Sequence, residues 1–465
     1  MMIASRQHWR ESMSAAISNT RTIAAFVAGV RQRELPPEVL DTARLCLADW
    51  TGVALGALDE PAARVVHETS KQWHSSGRST VLLGGAAAAP VAALCNGTAA
   101  HCLDFDDTYV AGITHISAPV WAATLALGEE VGASEQQLLT AFIAGFETAA
   151  RAGFGLGELV TARGWHGTGV FGRIGAAAAA CVLLELDAQA VRHALGAAAT
   201  QASGLTASFG TMAKPFHAGK AAMDGVIAAQ LAAKGFHAAE GLLDAGAGLD
   251  SALIQDRSAT IRPADFSGWE ILNNSFKPYA ACHLTHPAID CAKQVLESRA
   301  DVASARAVRL DVGALAKQVT GDKSGAPTTP LEGKFDLKYC VALALHGHTL
   351  SAADFREPMQ LDPAVAATAS RIEVNADPRY GFASARLQAD MENGTPIVVE
   401  VDTARGHPGN HMRWSDMHDK FIGLTDFAER AARDDLFQRL QRFGAQPKAD
   451  VLHRAADIAR ATTAR

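Results

Sequence analysis

Apolar residues return every three or four positions along the chain from about Thr20 to Leu296, and alanine, glycine and leucine dominate this stretch. The spacing is typical of buried helices. Pro36 precedes a helix that runs through Val39 and Trp50, since proline favours the first turn of a helix. Further helices are predicted at roughly 90–102, 118–131, 134–154, 168–186, 188–203, 215–235 and 287–299.

One predicted helix is apolar on every side. Residues 174–184 are small or apolar throughout, which indicates a helix inside a bundle. Arg173 and Glu185 flank it too closely for a bilayer-spanning helix, which needs about 20 apolar residues. Because the N-terminal residues also lack the apolar core of a signal peptide, we expect a cytoplasmic protein with no membrane partner.

After about residue 300 the pattern changes to alternating, β-branched segments at 307–312, 371–374 and 396–401. Residues 386–389 are predicted as a further strand, with a hairpin turn at 393–394. A chain of 465 residues exceeds what one core usually organises. We therefore predict a mainly α protein with a large all-helical domain at 1–270 and a smaller α+β lid domain at 271–465. The charged helices after about 410 could pack on either domain.

Composition limits the possible partners. Hydrophobic residues make up 48% and charged residues 20% of the chain, as in ordinary globular proteins. The net charge of −7 and the lack of a long Lys/Arg run argue against nucleic acid. Seven scattered cysteines indicate reduced thiols rather than a disulfide framework. An anionic ligand would have to be bound by a few cations gathered locally, so individual lysines carry information.

Two motifs match signatures of phosphate-handling enzymes, but neither lies in the structural context that its signature requires. GTGVFG at 167–172 fits the dinucleotide pattern G-x-G-x-x-G, but polar residues rather than a strand precede it. DFDDT at 104–108 fits the signature of aspartyl-phosphate phosphohydrolases, whose first aspartate is a nucleophile that ends a buried strand. Here an alanine-rich helix precedes it. Close helix packing is the better explanation of the glycines, and the phosphohydrolase is kept as a remote alternative.

The segment CHLTH at 282–286, with Cys291 nearby, has the residue types of a zinc site. Closed zinc sites usually draw ligands as two spaced pairs, and a second pair is not evident. The sequence therefore predicts no metal, and no iron–sulfur cysteine run is present either.

Polar segments punctuated by glycine or proline separate the predicted buried helices. They lie at 101–108 with 114–115, and at 164–168, 210–219, 275–279 and 335–339. Polar loops in an apolar bundle must be satisfied by each other, by water or by a ligand. Lys214 and Lys277 each precede a proline and His166 precedes a predicted helix, so we expect all three near free N–H groups at helix starts. Together they describe a pocket for an anion.

The chain resembles the MmgE/PrpD family through these same segments. DFDDT with a following histidine, GWHGTG, GTMAKPFHAG, SFKPY with a following histidine, and KFDLKY are similar to the family's successive motifs, in the family's order. The resemblance implies a helical domain with a smaller lid, a cleft between them, a homodimer, and no metal or organic cofactor. The family includes 2-methylcitrate dehydratase, cis-aconitate decarboxylase and iminodisuccinate epimerase.

The resemblance also implies site residues, carried over from the family's decarboxylase-like pocket. These are Asp104, His115, His166, Lys214, Lys277 and Tyr339 as catalytic residues, with Thr108, His217 and His283 as substrate-binding residues. His286 could replace His283, and the role of Arg173 is open. In this interpretation the lysines bind carboxylate and stabilise enediolate-like charge, while His115 and His166 transfer protons.

The predicted activity is a cofactor-independent lyase acting on a small polycarboxylate, with dehydration of a 2-methylcitrate-like substrate as the first candidate. Decarboxylation of cis-aconitate and epimerisation of an iminodicarboxylate are the alternatives, because all three reactions develop negative charge beside a carboxylate. A silent helical binding protein is the alternative from another class. The paired lysines and histidines argue against it, since a silent pocket need not retain paired charges.

Overall fold

A computed structural model of the protein describes residues 18–463 except 154, 245–247, 256–261, 299–304, 356–361, 392–393 and 395. Over these ranges the chain is mainly helical, with a small sheet in its C-terminal region. None of the helices that it describes is long and apolar enough to cross a membrane.

The N-terminal region is a bundle of helices. Their bounds are α1 Asn19–Gly29, α2 Pro37–Gly56, α3 Pro61–Lys71, α4 Ala89–Ala99, α5 Ser117–Val131, α6 Glu135–Gly153, α7 Gly157–Ala162, α8 Gly167–Leu183, α9 Ala188–Ala199, α10 Ala213–Ala232 and α11 Leu249–Ile254. The helices predicted from apolar spacing are confirmed to within a few residues. The spacing misses α3 because its buried face consists of Ala62, Ala63, His67 and Ser70 rather than large apolar side chains.

Helix α8 lies at the centre of this bundle. Every residue from 167 to 182 is buried, and the helix packs against α5, α6 and α10. Glycines allow the close approach: a Cβ added at Gly175 would lie 2.6 Å from the carbonyl oxygen of Gly145. The prediction of an interior helix is thereby confirmed.

The N-terminal region is not purely helical, since two short strand pairs involve it. Strand β1 Ser79–Thr80 pairs with β2 Ala86–Ala87, and β3 Thr108–Tyr109 pairs with β4 Asn274–Ser275, both antiparallel. Two-residue strands leave no alternating pattern long enough to detect in a sequence. The β3–β4 pair matters for function because it joins segments more than 160 residues apart.

The C-terminal region contains one four-stranded sheet. Its strands are β5 Ala305–Val312, β6 Ile372–Ala376, β7 Ala385–Met391 and β8 Pro396–Val401, in the order β6-β5-β7-β8. β5 is parallel to β6 and antiparallel to β7, which is antiparallel to β8. All four predicted strands are confirmed. The predicted turn at 393–394 falls partly outside the described residues, since Asn393 is not among them.

Further helices surround the sheet and return to the bundle. They are α12 His286–Glu297, α13 Pro330–Lys334, α14 Leu337–Leu345, α15 Pro363–Ala369, α16 Trp414–Leu424, α17 Arg430–Gln441 and α18 Val451–Thr463. α12 and α14 share a buried apolar cluster with the sheet. α16, α17 and α18 instead contact α2, and Phe421 and Phe437 belong to the same buried cluster as Trp50. The helices after about 410 therefore pack on the N-terminal bundle.

Candidate active site

Asp104 is a buried carboxylate held by two buried lysines. Lys214 Nζ donates to its Oδ1, and Lys277 Nζ donates to its Oδ2 at 3.1 Å. Burial raises the pKa of Asp104, but Lys214 and then Lys277 lower it more, so the pKa lies well below its ordinary value. Two ammonium groups share one carboxylate, while the next carboxylate, that of Asp106, is bonded to His101 instead.

Helix packing brings Lys214 to Asp104. Gly219, in the first half of α10, lies against α4: a Cβ there would be 2.2 Å from Thr98 Oγ1 and 2.3 Å from the Leu94 carbonyl oxygen. Because α4 ends at Ala99, just before the loop that carries Asp104, this close contact places the start of α10 beside the loop. Only glycine permits this approach, so Gly219 positions Lys214 within the same GTMAKPFHAG motif.

Strand pairing brings Lys277 to the same loop. Thr108 in β3 is directly opposite Ser275 in β4, two residues before Lys277. The backbone that follows is held by the C-terminal region, since Phe276 N donates to the Gly406 carbonyl at 2.9 Å and Ala280 N to the Leu350 carbonyl at 2.8 Å. Lys277 is thus fixed by both regions of the chain.

The predicted setting at a helix start is confirmed for Lys214 and wrong for Lys277. Helix α10 begins at Ala213, so Lys214 lies in its first turn, where Pro215 is tolerated because the first N–H groups of a helix have no internal acceptor. No helix directly follows Lys277; the next helical turn begins at His283. The structure also supplies an anion for both lysines, Asp104, where the sequence suggests the substrate. A substrate carboxylate would therefore have to share the two ammonium groups with Asp104.

A His–Asp–His arrangement lies next to this group. Asp106 Oδ2 is 2.8 Å from His101 Nδ1 and 3.2 Å from His115 Nδ1. His115 presents its other nitrogen to Asp104, with 4.0 Å between Nε2 and Oδ1. Burial raises the pKa of Asp106, yet His101 and His115 hold it well below its ordinary value. Asp106 therefore contacts both rings: it is hydrogen-bonded to His101, while its contact with His115 is an ion-pair contact without hydrogen-bond geometry. Neither Asp106 nor His101 is among the site residues predicted from the sequence.

The same three side chains could hold a divalent cation, because their ligand atoms lie within 4.8 Å of one another. Two observations favour a proton-transfer role. His101 and Asp106 already form a direct hydrogen bond, and Lys214 acts electrostatically on His101. Burial lowers the pKa of His101 to about 4, against the opposing effect of Asp106, so His101 is neutral near pH 7.

His166 and His217 form a second imidazole pair, and the His166 ring is stacked 5.8 Å from the ring of His101. His166 is the residue before α8, and its Nδ1 lies 3.1 Å from His217 Nδ1. Burial and the positive charge of Lys214 hold the pKa of His166 well below its ordinary value. Burial also lowers the pKa of His217. The neutral forms of both rings are therefore favoured, and one Nδ1 donates to the other.

Several buried polar atoms around the lysines have no hydrogen-bond partner among the described residues. They are Thr108 Oγ1, Ser275 Oγ, His101 Nε2 and His283 Nδ1. Burial, followed by the charges of His286 and Lys277, holds the pKa of His283 well below its ordinary value. Buried donors and acceptors without partners are costly. Thr108 and His283 therefore provide groups that a polar ligand would satisfy.

Tyr339 is the predicted site residue that the structure does not bring to Asp104. Its ring lies 6.3 Å from the ring of Phe355, and its backbone N–H donates to Asp336 Oδ1 at 3.1 Å. Within the described residues no hydrogen bond joins its hydroxyl to the lysines or histidines. Burial raises the pKa of Tyr339 to about 12. Its assignment to the site stays a prediction.

A cleft of about 1090 Å³ opens beside the buried group. Both regions of the chain line it, through residues such as Ile113 and Thr206 on one side and Leu315 and Lys323 on the other. Phe209 and Phe335 also line the cleft, and their ring centroids are 5.3 and 5.4 Å from Lys214 Nζ. The two phenyl rings therefore lie between the cleft and the buried charges.

The motifs with misleading matches have structural explanations. The glycines of 167–172 serve packing, since a Cβ at Gly169 would lie 2.3 Å from the Ser203 carbonyl oxygen. Helix α4, not a strand, precedes the DFDDT segment. His286 Nε2 lies 3.2 Å from the Ala281 carbonyl, and Cys291 donates to the Ala385 carbonyl, so these side chains do not converge on one point.

Arg173 has a structural role. Its guanidinium donates to Asp224 at 2.6 Å and to Ser203 Oγ at 2.7 Å, which ties the segment around 201–203 to α8 and α10. This segment supplies the Gly204 carbonyl that accepts from His166 N at 2.9 Å. Arg173 therefore supports the wall on which His166 lies.

Comparison with known proteins agrees with this geometry. The sequence model of the MmgE/PrpD N-terminal domain matches residues 21–262, and that of the MmgE/PrpD C-terminal domain matches residues 279–442. Cis-aconitate decarboxylase of Homo sapiens is 26% identical over 422 residues, covering 87% of each chain. The Aspergillus terreus enzyme of the same name is 24% identical over 423 residues, covering 83% of this chain and 85% of that one. The Mus musculus enzyme is 24% identical over 420 residues, covering 87% and 86%. The chain therefore belongs to the MmgE/PrpD family and is an enzyme of the lyase class.

Proposed function

We propose that the protein is a cofactor-independent lyase that removes CO2 from a small tricarboxylate of the cis-aconitate type. The observation that carries the proposal is the sharing of Asp104 by Lys214 and Lys277. Each ammonium group can donate three hydrogen bonds, so the two lysines can bind a substrate carboxylate in addition to Asp104. The names of the three relatives support decarboxylation over the dehydration that we ranked first from sequence.

In the proposed reaction, the bond between a carboxylate and its carbon breaks and CO2 leaves. The electron pair delocalises onto a neighbouring carboxylate of the substrate, where Lys214 and Lys277 stabilise the developing charge. His115, which contacts Asp106, then gives a proton to carbon and is reprotonated from water. Phe209 and Phe335 limit access of water, which strengthens these electrostatic interactions.

Dehydration is the second candidate, because the site contains two imidazoles suited to separate proton transfers. The ring centroids of His115 and His166 are 4.6 and 5.8 Å from that of His101, on the same side of the bundle. Loss of water needs a base for the proton on carbon and an acid for the departing hydroxyl. Dehydration of a 2-methylcitrate-like substrate would use one imidazole as the base and the other as the acid. Epimerisation would use the same two imidazoles to remove and to return a proton at one carbon.

The test is turnover of a panel of acids in D2O, followed by NMR. We expect cis-aconitate to lose CO2 and the product to carry one deuterium on carbon. Loss of water from 2-methylcitrate or citrate would identify the dehydratase. Deuterium exchange in iminodisuccinate without net turnover would identify an epimerase. An enzyme that changes none of these acids contradicts the proposal.

The family resemblance further implies a homodimer, which we propose as the assembly. The chain mass is 48.7 kDa. Light scattering coupled to size-exclusion chromatography should give twice this mass. A stable mass equal to that of one chain contradicts the dimer without affecting the assignment of the site.

A further inference from the structure

Three successive backbone carbonyls of the loop that carries Asp104 each accept a hydrogen bond from a different lysine. Leu103 O accepts from Lys334 Nζ at 2.7 Å, Asp104 O from Lys277 Nζ at 2.7 Å, and Phe105 O from Lys420 Nζ at 2.6 Å. All three lysines are buried. They come from α13, the segment after β4, and α16. Three ammonium groups on consecutive carbonyls form a clamp around Asp104.

We propose that Lys334 and Lys420 are positioning residues that hold the Asp104 carboxylate in its reactive orientation. Lys277 also contacts the carboxylate and so belongs to the site itself, whereas Lys334 and Lys420 donate to the carbonyls of the residues on either side of Asp104. The inference rests on the proposed function, because the proposed function is what makes Asp104 a residue of the reactive site. The effect of the two lysines on the loop can nevertheless be tested without any substrate.

The loop needs such a clamp because its backbone is strained. Asp104 has φ of +52°, in the left-handed region that a residue with a Cβ adopts only at a cost. The backbone N–H of Asp104 makes only a 3.3 Å hydrogen bond to the His101 carbonyl. The carbonyls of 103–105 are buried and would otherwise lack strong partners. Charged donors provide the strongest hydrogen bonds available for this purpose.

Lys420 holds one side of the loop through several contacts. Besides the Phe105 carbonyl, its Nζ lies 2.5 Å from Asp49 Oδ1 and 3.9 Å from the centroid of the Phe105 ring. Asp49 Oδ2 in turn accepts from the backbone N–H of Asp107 at 2.9 Å. Lys420 and Asp49 thus fix the chain from 105 to 107 against α2 and α16.

Lys334 holds the other side and connects it to the cleft. Its own carbonyl accepts from Cys282 N at 2.8 Å, next to His283, and the following residue is Phe335, which lines the cleft. A movement of α13 would therefore displace Leu103, His283 and Phe335 together. This arrangement links the backbone of Asp104 to the elements through which a substrate would approach.

The two lysines differ in how cleanly they can be removed. Among the described residues no carboxylate lies within ion-pair distance of Lys334, and Glu60 and Asp104 act on its pKa only from further away, so Lys334→Met breaks no direct ion pair. Lys420→Met would leave Asp49 buried without its cation, which is strongly destabilising. For this side we choose the double variant Lys420→Met with Asp49→Asn, which removes both charges while the amide oxygen can still accept from Asp107 N.

Steady-state kinetics on cis-aconitate provide the first test. A misplacement of about 1 Å at a reacting group can lower the rate by about 100-fold, so we expect kcat to fall by up to about 100-fold with little change in KM. Lys334→Arg should recover part of the loss. The control is Lys293→Met, because Lys293 also donates to a carbonyl, that of His348, and lies over the Tyr279 ring, away from this loop. Native kcat in folded Lys334→Met and in the double variant would overturn the proposal.

Crystal structures without ligand separate this proposal from the proposed function. We expect positive φ at Asp104 and the Lys214–Asp104 ion pair in the wild type and in Lys293→Met, and loss of one or both in Lys334→Met. That result supports the clamp even if the wild type turns over none of the acids, in which case only the proposed function fails. An unchanged loop in Lys334→Met contradicts the clamp, whatever the activity.

Discussion

The loop at 104–107 has a buried charged group on each side, and the two groups are built differently. The front group consists of Asp104, Lys214, Lys277, His115 and His166. The rear group consists of Asp49, Asp107, Ser117 and Lys420. Both are almost fully buried. In the front group two ammonium groups contact one carboxylate, and a second carboxylate, that of Asp106, lies beside His115. In the rear group two carboxyl groups lie near one ammonium group.

The rear group neutralises itself without a ligand. Ser117 Oγ donates to Asp107 Oδ2 at 2.5 Å, and Lys420 pairs with Asp49. Burial and then the charge of Asp49 raise the pKa of Asp107 to about 7, so a proton can remove the surplus negative charge near neutral pH. In the front group the second carboxylate, Asp106, is bonded to His101 and to neither lysine. The difference indicates that the rear group removes its surplus charge with a proton, whereas the front lysines can still bind a ligand carboxylate.

Lys214→Met should have the largest effect on activity. It removes half of the front group's positive charge, and loss of one stabilising donor typically lowers kcat by about 100- to 1000-fold. We expect kcat/KM to fall by at least this factor, with a circular dichroism spectrum like that of the wild type. Lys220→Met is the matched control on the same helix, because Lys220 pairs with Asp224 and is partly exposed. Equal activity in the two variants would remove the distinction between the front group and ordinary ion pairs.

His166→Ala should have the next largest effect. Loss of a positioned acid or base costs about 100-fold or more in rate, and His166 lies at the entrance of α8 rather than within its packed run. We expect kcat to fall by about 100-fold while the melting temperature changes little. His193→Ala provides the control, since His193 is a largely buried histidine that contacts the Ala238 carbonyl far from the loop. Normal turnover by His166→Ala would exclude this residue from the mechanism.

Asp107→Asn tests the rear group. We expect this variant to have a small effect on activity and a larger effect on stability. The folded-state pKa of about 7 lies above the value of about 3.9 for an unfolded aspartate. The folded protein therefore retains a proton that the unfolded chain loses, and the free energy of unfolding falls as pH rises from about 4 to about 7. At about 1.4 kcal/mol per pKa unit, the fall is at most about 4 kcal/mol.

Asparagine keeps the neutral form of the side chain, so the variant should not show this fall. The measurement is urea unfolding at pH 5 and pH 8, with the change in midpoint compared between wild type and variant. A wild-type protein whose stability rises from pH 5 to pH 8 more than that of Asp107→Asn would show that Asp107 is charged in the fold. The rear group would then not be self-neutralising.

Chelation should have no effect on activity. His101, Asp106 and His115 have the types and spacing of metal ligands, but we assign them to proton transfer. We expect unchanged kcat after dialysis against EDTA, and unchanged kcat on addition of NAD. Loss of activity that one divalent metal restores would replace the proton-transfer role of the front group with a metal centre.

The extent to which sequence predicts this fold depends on the length of each element. Helix α8 and strands β5 to β8 leave long, regular patterns, and their positions are confirmed. β3 and β4 are two residues each, and their pairing brings Lys277 to Asp104 across a separation of 173 residues. A periodicity cannot indicate such a contact, because it reports only which face of a segment is buried.

The site residues likewise divide into those that the sequence predicts and those that it does not. The charged residues in recognisable motifs could be predicted, and the structure brings Asp104, His115, Lys214 and Lys277 together. Lys334 and Lys420 could not be predicted, because their partners are backbone carbonyls 231 and 315 residues away. Lys334 lies within the KFDLKY motif and could have been noted there. Lys420 lies in an ordinary charged helix, where most lysines are solvated.

A crystal structure with a bound tricarboxylate tests the central claim most directly. Tricarballylate lacks the double bond and hydroxyl of the proposed substrates, so it should bind without reacting. We predict that one of its carboxylates lies within about 3 Å of both Lys214 Nζ and Lys277 Nζ, the distance of a charge-assisted hydrogen bond. Asp104 should remain bonded to at least one of the lysines. A tricarboxylate bound only in the outer cleft, with Phe209 and Phe335 between it and unchanged lysines, would contradict the account.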